Sequence, residues 1–310
     1  LKTELDEQSP ELYDILSSVN DFQANPNKTI KNFDFVTFHQ SFAYEDFIEG
    51  IKPILPEDGQ ETKDLGYTIE NGVFKSLCIK AQNDPENKYA IFIDEINRGN
   101  VSAIFGELIT LIETDKRKGA ENELSIKLPY SKKGFSVPSN LDIYGTMNTA
   151  DRSVEALDTA LRRRFSFYEV QSNPELIEEV GANKIEGFNT VEILKTINRR
   201  IEKLIDKDHK IGHSYFLKIK NLQGLKDVFH KNIIPLLQEY FFGDFGKIGL
   251  VIGSGFYTSK EKEIEENNFF ADVNDYEYGD LYSNKTYDFI NVSEMSDDSF
   301  TKAINLLLRK

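Results

Sequence analysis

Apolar positions along this chain follow two rhythms. Between residues 33 and 170, short apolar runs alternate with stretches of helical spacing, and after Asn173-Pro174 the helical spacing dominates. Phe33 to Phe38, Tyr89 to Ile93, Leu141 to Gly145 and Phe165 to Val170 each read as a strand. The run from Tyr89 to Ile93 is apolar throughout, as expected of a parallel strand covered on both faces. Tyr44 opens a short helix after Ser41, and Val73 to Gln82, Ser102 to Glu113 and Leu157 to Arg164 carry spacing near 3.6. Leu124 to Leu128 and Gly134 to Pro138 predict a small hairpin inserted before the strand at Leu141. Strands alternating with helices predict an α/β fold, a parallel sheet with helices on both faces.

The flanks are less regular. Residues 1 to 30 carry a helical pattern (Leu5, Leu12, Ile15, Leu16, Val19) that stops at Asn25-Pro26-Asn27. Residues 52 to 66, with two Pro, two Gly and several acids, read as an exposed excursion. Thr190 to Leu204 and Leu225 to Phe242 predict long helices of a second, helical domain. Beyond Gly253 the chain is acidic and rich in Asn and Tyr, and Ile264 to Asn268 and Tyr276 to Asp280 have no clear period. A small appended element or a partly mobile tail is expected there. The expected division is residues 1–170, 171–250 and 251–310.

Composition narrows the function classes. The 310 residues are 39% hydrophobic and 29% charged, as in an ordinary soluble protein. No apolar stretch approaches the ~20 residues that span a bilayer, and no secretory signal opens the chain, so no membrane association and a cytoplasmic location are expected. The net charge of -15 argues against the whole chain gripping nucleic acid, because phosphate backbones are held mainly by Lys and Arg. DNA contact is therefore assigned to a missing domain or a partner. Cys78 is the only cysteine, and its setting reads as buried packing. The chain begins with Leu, which suggests that a segment precedes it.

The candidate chemistry lies where apolar runs end in charge. Tyr89-Ala-Ile-Phe-Ile-Asp94-Glu95 delivers two adjacent carboxylates to a strand tip, the way a buried parallel strand presents a metal-holding Asp and a water-polarising Glu. Two acids capping the next helix is the bland alternative. Asn148 follows its own strand, where an amide can reach a γ-phosphate and the attacking water, although a lone Asn there is usually a turn residue. Asp151 and Arg152 give the same loop one charge of each sign. Arg162, Arg163 and Arg164 sit at a helix end, where the macrodipole favours cations. Three in a row also suit a finger reaching a neighbouring subunit's nucleotide.

These residues resemble the McrB-type branch of the AAA+ ATPases, GTP-hydrolysing motors of modified-cytosine-dependent restriction systems. The resemblance covers roughly residues 33 to 245. It rests on Thr37-Phe-His39-Gln40-Ser-Phe-Ala-Tyr44, Phe92-Ile-Asp94-Glu95-Ile-Asn-Arg-Gly-Asn100, Met147-Asn148-Thr-Ala-Asp151-Arg152-Ser, Ala160-Leu-Arg-Arg-Arg164-Phe, Ile211-Gly-His213-Ser-Tyr-Phe, and Ile234-Pro-Leu-Leu-Gln-Glu-Tyr-Phe-Phe242. It implies an AAA+ three-layer parallel sheet with a C-terminal helical lid, GTP or ATP with Mg²⁺ as cofactors, a homo-oligomer that is a hexameric ring, and a nuclease partner. By the same resemblance Asp94 and Glu95 are Walker B, with Asp94 the Mg²⁺ residue. Asn148 is sensor 1, Asp151 and Arg152 organise water and the subunit contact, and Arg163 and Arg164 form the finger region. His213 lies in the lid segment near base and phosphates, or is a satisfied polar residue at a domain seam. His39 has no derivable chemistry beyond packing or a hydrogen bond.

One family element is absent. No G-x-x-x-x-G-K-[ST] loop occurs in these residues, and Gly243-Asp-Phe-Gly246-Lys247 has the wrong spacing and reads as a turn after a helix. The resemblance would place the loop upstream of Leu1, so the chain by itself is expected to bind nucleotide weakly and hydrolyse little. A non-catalytic scaffold or regulatory subunit is the alternative.

Overall fold

The computed structural model describes residues 32–54, 66–151, 159–260 and 286–310. The helix expected over residues 1–30, Arg152, most of the excursion at 52–66 and the aperiodic stretches 264–268 and 276–280 lie outside them. The chain divides into two compact units, Leu1–Tyr168 and Glu169–Lys310.

The first unit is organised on strand β1 (Phe33–Thr37), helix α1 (Tyr44–Phe47), strands β2 (Glu49–Pro53) and β3 (Tyr67–Asn71), helix α2 (Val73–Asn83), β4 (Tyr89–Asp94), helix α3 (Val101–Phe105), β5 (Ile126–Lys127), β6 (Gly134–Phe135), β7 (Leu141–Gly145) and helix α4 (Thr159–Arg162). β1, β4 and β7 form a parallel sheet with β4 in the middle. Hydrogen bonding on both edges and burial of Ala90, Ile91 and Ile93 account for the unbroken apolar run. The register pairs Thr37 with Asp94 and Ile93 with Gly145, so the three strand tips lie side by side.

Core aromatics fix the surrounding helices. Phe47 of α1 stacks on Phe74 of α2 at 4.9 Å between ring centroids and meets Phe38 edge-on at 5.6 Å. Cys78 is fully buried, and burial pushes its thiol well above the ordinary value, in keeping with a packing role. β5 and β6 form the expected hairpin.

β2 and β3 pair antiparallel on either side of the expected excursion. Three local expectations are corrected. The helix expected over Ser102–Glu113 stops at Phe105, where Gly106 takes φ +51° and turns the chain into a 3₁₀ segment, Gly106–Ile109. Phe165–Val170 is not a strand, and Phe167 and Tyr168 stand 51% and 63% exposed. Among the described residues β7 pairs only with β4, and a strand forms only where a neighbour takes its backbone hydrogen bonds. The helix expected over Leu225–Phe242 is three pieces: α-helical Leu222–Val228, a π-helical turn Phe229–Ile233, and Ile234–Tyr240. Pro235 brings no N–H and crowds the carbonyl four residues back, which the widened turn relieves.

The second unit carries helices α5 (Leu176–Glu179), α6 (Thr190–Leu204), α7 (Leu222–Val228), α8 (Ile234–Tyr240), α9 (Phe245–Ile252) and α10 (Asp297–Leu308), with hairpins β8 (Lys184–Ile185)/β9 (Phe188–Asn189) and β10 (Tyr257–Lys260)/β11 (Thr286–Phe289). Asn189 caps α6 by accepting from Glu192 N–H at 3.1 Å, and the Ile193, Leu194, Ile197 and Ile201 side is buried. The expected boundary at residue 250 falls within α9. Residues on either side share one core, in which Phe229 stacks on Phe256 at 5.0 Å and meets Phe300 edge-on at 5.9 Å. Arg200 of α6 donates to the carbonyls of Val251 and Leu307 at 2.6 and 2.7 Å, joining the C-terminal ends of α9 and α10. No helix of the described residues is long and apolar enough to cross a membrane.

Candidate functional site

At the tip of β4 the backbone turns sharply. Asp94 ends the strand, and Glu95 adopts a left-handed conformation (φ +51°, ψ +46°) before the 3₁₀ turn Ile96–Arg98. A residue with a Cβ rarely holds this geometry, and neighbouring bonds over-determine it here. Thr146, the first residue after β7, supplies most of them. Its N–H donates to Ile93 O at 2.9 Å, and its own carbonyl accepts from Ile96 N–H at 2.9 Å. Its hydroxyl donates to Asp94 Oδ1 at 2.5 Å and accepts from Glu95 N–H at 3.3 Å.

The loop beyond Thr146 carries Asn148 and Asp151. Asn148 is exposed, and its side-chain oxygen accepts from Ala150 N–H at 3.0 Å, shaping the loop as an Asx-type turn. Asp151 Oδ2 accepts from Arg98 Nη2 at 3.2 Å, and Arg98 Nε lies 3.2 Å from Glu95 Oε2 as an ion contact without hydrogen-bond alignment. One guanidinium thus spans both carboxylates, and Asp94, Glu95, Asn148 and Asp151 lie on two adjacent strand tips.

The arginines after α4 separate. Arg164 is tied inward, with Nε 2.7 Å from Glu113 Oε1 and Nη1 donating to Ala160 O at 2.7 Å. Arg162 lies over the Phe167 ring at 5.8 Å. Arg163 is exposed and has no side-chain partner among the described residues. His213 belongs to the second unit, where its Nδ1 accepts from Asn173 N–H at 3.1 Å and burial holds the imidazole below the ordinary histidine value. His39 packs edge-on against Phe42 at 5.8 Å.

Gly243 lies in the expected turn after α8, and the run then continues into α9, with Asp244 at its cap and Gly246 and Lys247 in its first turn. Asp244 caps that helix by accepting from Lys247 N–H at 3.0 Å, placing a carboxylate where a phosphate would have to sit.

Comparison with known proteins decides the family. Residues 27–165 match the AAA domain of the dynein-related subfamily, and residues 189–249 match the McrB alpha-helical lid domain. The chain is a McrB-type AAA+ protein. It is 38% identical over 235 residues to the EcoKMcrB subunit of the type IV methyl-directed restriction enzyme of Escherichia coli (strain K12), covering 70% of this chain and 49% of that protein. It is 27% identical over 281 residues to the YdiS component of the type II restriction enzyme BsuMI of Bacillus subtilis (strain 168), covering 78% and 80%. The chain thus spans about half the length of its McrB relative.

The AAA+ fold implies a nucleotide with Mg²⁺, and the donor set suits the metal. Asp94 could contribute a carboxylate, and Asn97 Oδ1 is a buried oxygen without a hydrogen-bond donor among the described residues. Mg²⁺ takes one or two carboxylates and fills its remaining positions with water and phosphate oxygen. No group of three or more His, Cys, Asp or Glu side chains placed to hold a metal occurs among the described residues. Thr146 and Arg98 were missed as site residues by sequence reasoning. The available signal was a hydroxyl directly after an apolar strand, and a basic residue one turn after paired acids.

Proposed function

We propose that this chain is the nucleoside triphosphatase part of a restriction-system motor, hydrolysing GTP or ATP in a hexameric ring of identical subunits and working with a nuclease subunit. The observation that carries the reading is the convergence of Asp94, Glu95, Asn148 and Asp151 on two neighbouring strand tips joined through Thr146 and Arg98. The restriction subunits it resembles support the assignment to such a system.

In this reading Asp94 would hold Mg²⁺, which would supply charge neutralisation at the outer phosphates. Glu95 orients and polarises the attacking water, and the Asn148 amide fixes water and γ-phosphate together. Arg163, exposed and without a side-chain partner among the described residues, neutralises charge at a neighbouring subunit's nucleotide. DNA contact falls to another domain or subunit, in keeping with the net charge of -15.

The test is hydrolysis of GTP and of ATP by the full-length protein and its Glu95→Gln variant. Turnover should fall on the order of 100-fold or more while nucleotide binding persists. The absence of a glycine-rich phosphate loop from these 310 residues favours a second reading, a non-catalytic scaffold. Full-length protein that neither binds nor hydrolyses either nucleotide would establish it.

A further inference from the structure

Glu95 is delivered by β4 but oriented by something else. Among the described residues its Oε2 is buried with no hydrogen-bond donor, and Arg98 Nε lies 3.2 Å from it. The side chain nevertheless keeps 28% of its surface exposed, so one carboxylate oxygen is held inside while the rest faces solvent. That is the arrangement of a carboxylate steered from behind. Arg98 is steered in turn, because its Nη2 donates to Asp151 Oδ2 at 3.2 Å. The left-handed backbone at Glu95 brings Arg98 within one 3₁₀ turn, with Arg98 N–H donating to Glu95 O at 2.8 Å.

We propose that Arg98 is a positioning residue, acting within its own chain, that orients Glu95 and couples it to the loop carrying Asn148 and Asp151. The inference rests on the hydrolytic reading above. A planar guanidinium can engage two carboxylates with different nitrogens, whereas a lysine offers one point charge. The relay therefore transmits loop position to the water-polarising group. A neighbouring subunit or partner that moves Asp151 would change the orientation of Glu95 without touching it.

The experiment measures steady-state hydrolysis and nucleotide affinity in the assembled full-length protein. Arg98→Ala should lower kcat on the order of 10-fold or more with KM and nucleotide Kd little changed, and Arg98→Lys should fail to restore it. Asp151→Asn should reproduce the loss, and the double variant should be no worse than about the weaker single one, because both changes break one relay. A merely structural role would instead lower the melting temperature and give additive losses. Unchanged kcat in Arg98→Ala, or additivity, overturns the relay. So does recovery of activity on mixing Arg98→Ala with Glu95→Gln subunits, since each copy would then be using its neighbour's Arg98. Wild-type protein without turnover would sink the hydrolytic reading and the relay together, whereas wild-type turnover matched by Arg98→Ala sinks the relay alone.

Discussion

The Thr146 hydroxyl donates to Asp94 Oδ1 at 2.5 Å and so fastens the tip of β7 to the tip of β4. The same oxygen receives Glu95 N–H, leaving both acids dependent on one side chain. Thr146→Val keeps the shape but removes donor and acceptor, and hydrolysis by the full-length protein should fall on the order of 10-fold, with Thr146→Ser close to wild type. Equal rates for Thr146→Val and wild type would show that Asp94 holds its orientation unaided.

Neighbouring arginines should separate in mutagenesis. Arg164 is bound to Glu113 and Ala160 O, so Arg164→Ala should destabilise the first unit by about 1–3 kcal/mol, read as a lower melting temperature. Arg163 is exposed, so Arg163→Ala should leave stability and nucleotide affinity unchanged while abolishing turnover. Loss of binding in Arg163→Ala would argue against action on a neighbouring subunit.

A buried ion pair anchors the β2/β3 hairpin. Glu49 is fully buried, accepts from Lys75 Nζ at 2.6 Å through Oε2, and accepts from Tyr130 and Ser131 N–H at 3.1 and 2.8 Å through Oε1. Burial by itself would raise the Glu49 carboxyl, yet Lys75 and Ser131 more than offset it and hold the group below the ordinary range. Lys75→Met leaves a buried carboxylate without its cation and should cost about 3–5 kcal/mol in urea unfolding. A cost below ~1 kcal/mol would mean that the Tyr130 and Ser131 amides suffice.

Acid should weaken the second unit through His213. Its Nδ1 accepts from Asn173 N–H, a role only the neutral ring can fill, and burial lowers its affinity for a proton. The unfolded chain takes up that proton near the ordinary value of ~6.5. Stability present at neutral pH is therefore lost as pH falls through ~6.5 toward the depressed folded value. The drop in melting temperature between about pH 7.5 and 5.5 should shrink in His213→Gln, and an undiminished drop would assign the effect to other groups.

The 310 residues contain no G-x-x-x-x-G-K-[ST] loop to cradle the β- and γ-phosphates, and Asp244 closes the glycine-rich start of α9 to anions. Titration with a labelled GTP or ATP analogue should give weak binding or none. Sub-micromolar affinity would refute it.

Much of this architecture is legible in the order of residues alone. The apolar run Tyr89 to Ile93, the strand at Leu141 and the long helix at Thr190 follow from periodicity, because near neighbours along the chain decide which faces can be buried. The paired acids and the six family blocks are likewise local strings. Tertiary structure decided what local strings leave open. Phe165–Val170 has strand-like apolarity but no sheet neighbour among the described residues, and Pro235 divides a helix whose spacing looks continuous. The Thr146–Asp94 and Arg98–Asp151 contacts join residues 52 and 53 positions apart, and Arg200 reaches Leu307 across 107. Such partners are chosen by strand order and helix packing, so no spacing rule along the chain specifies them.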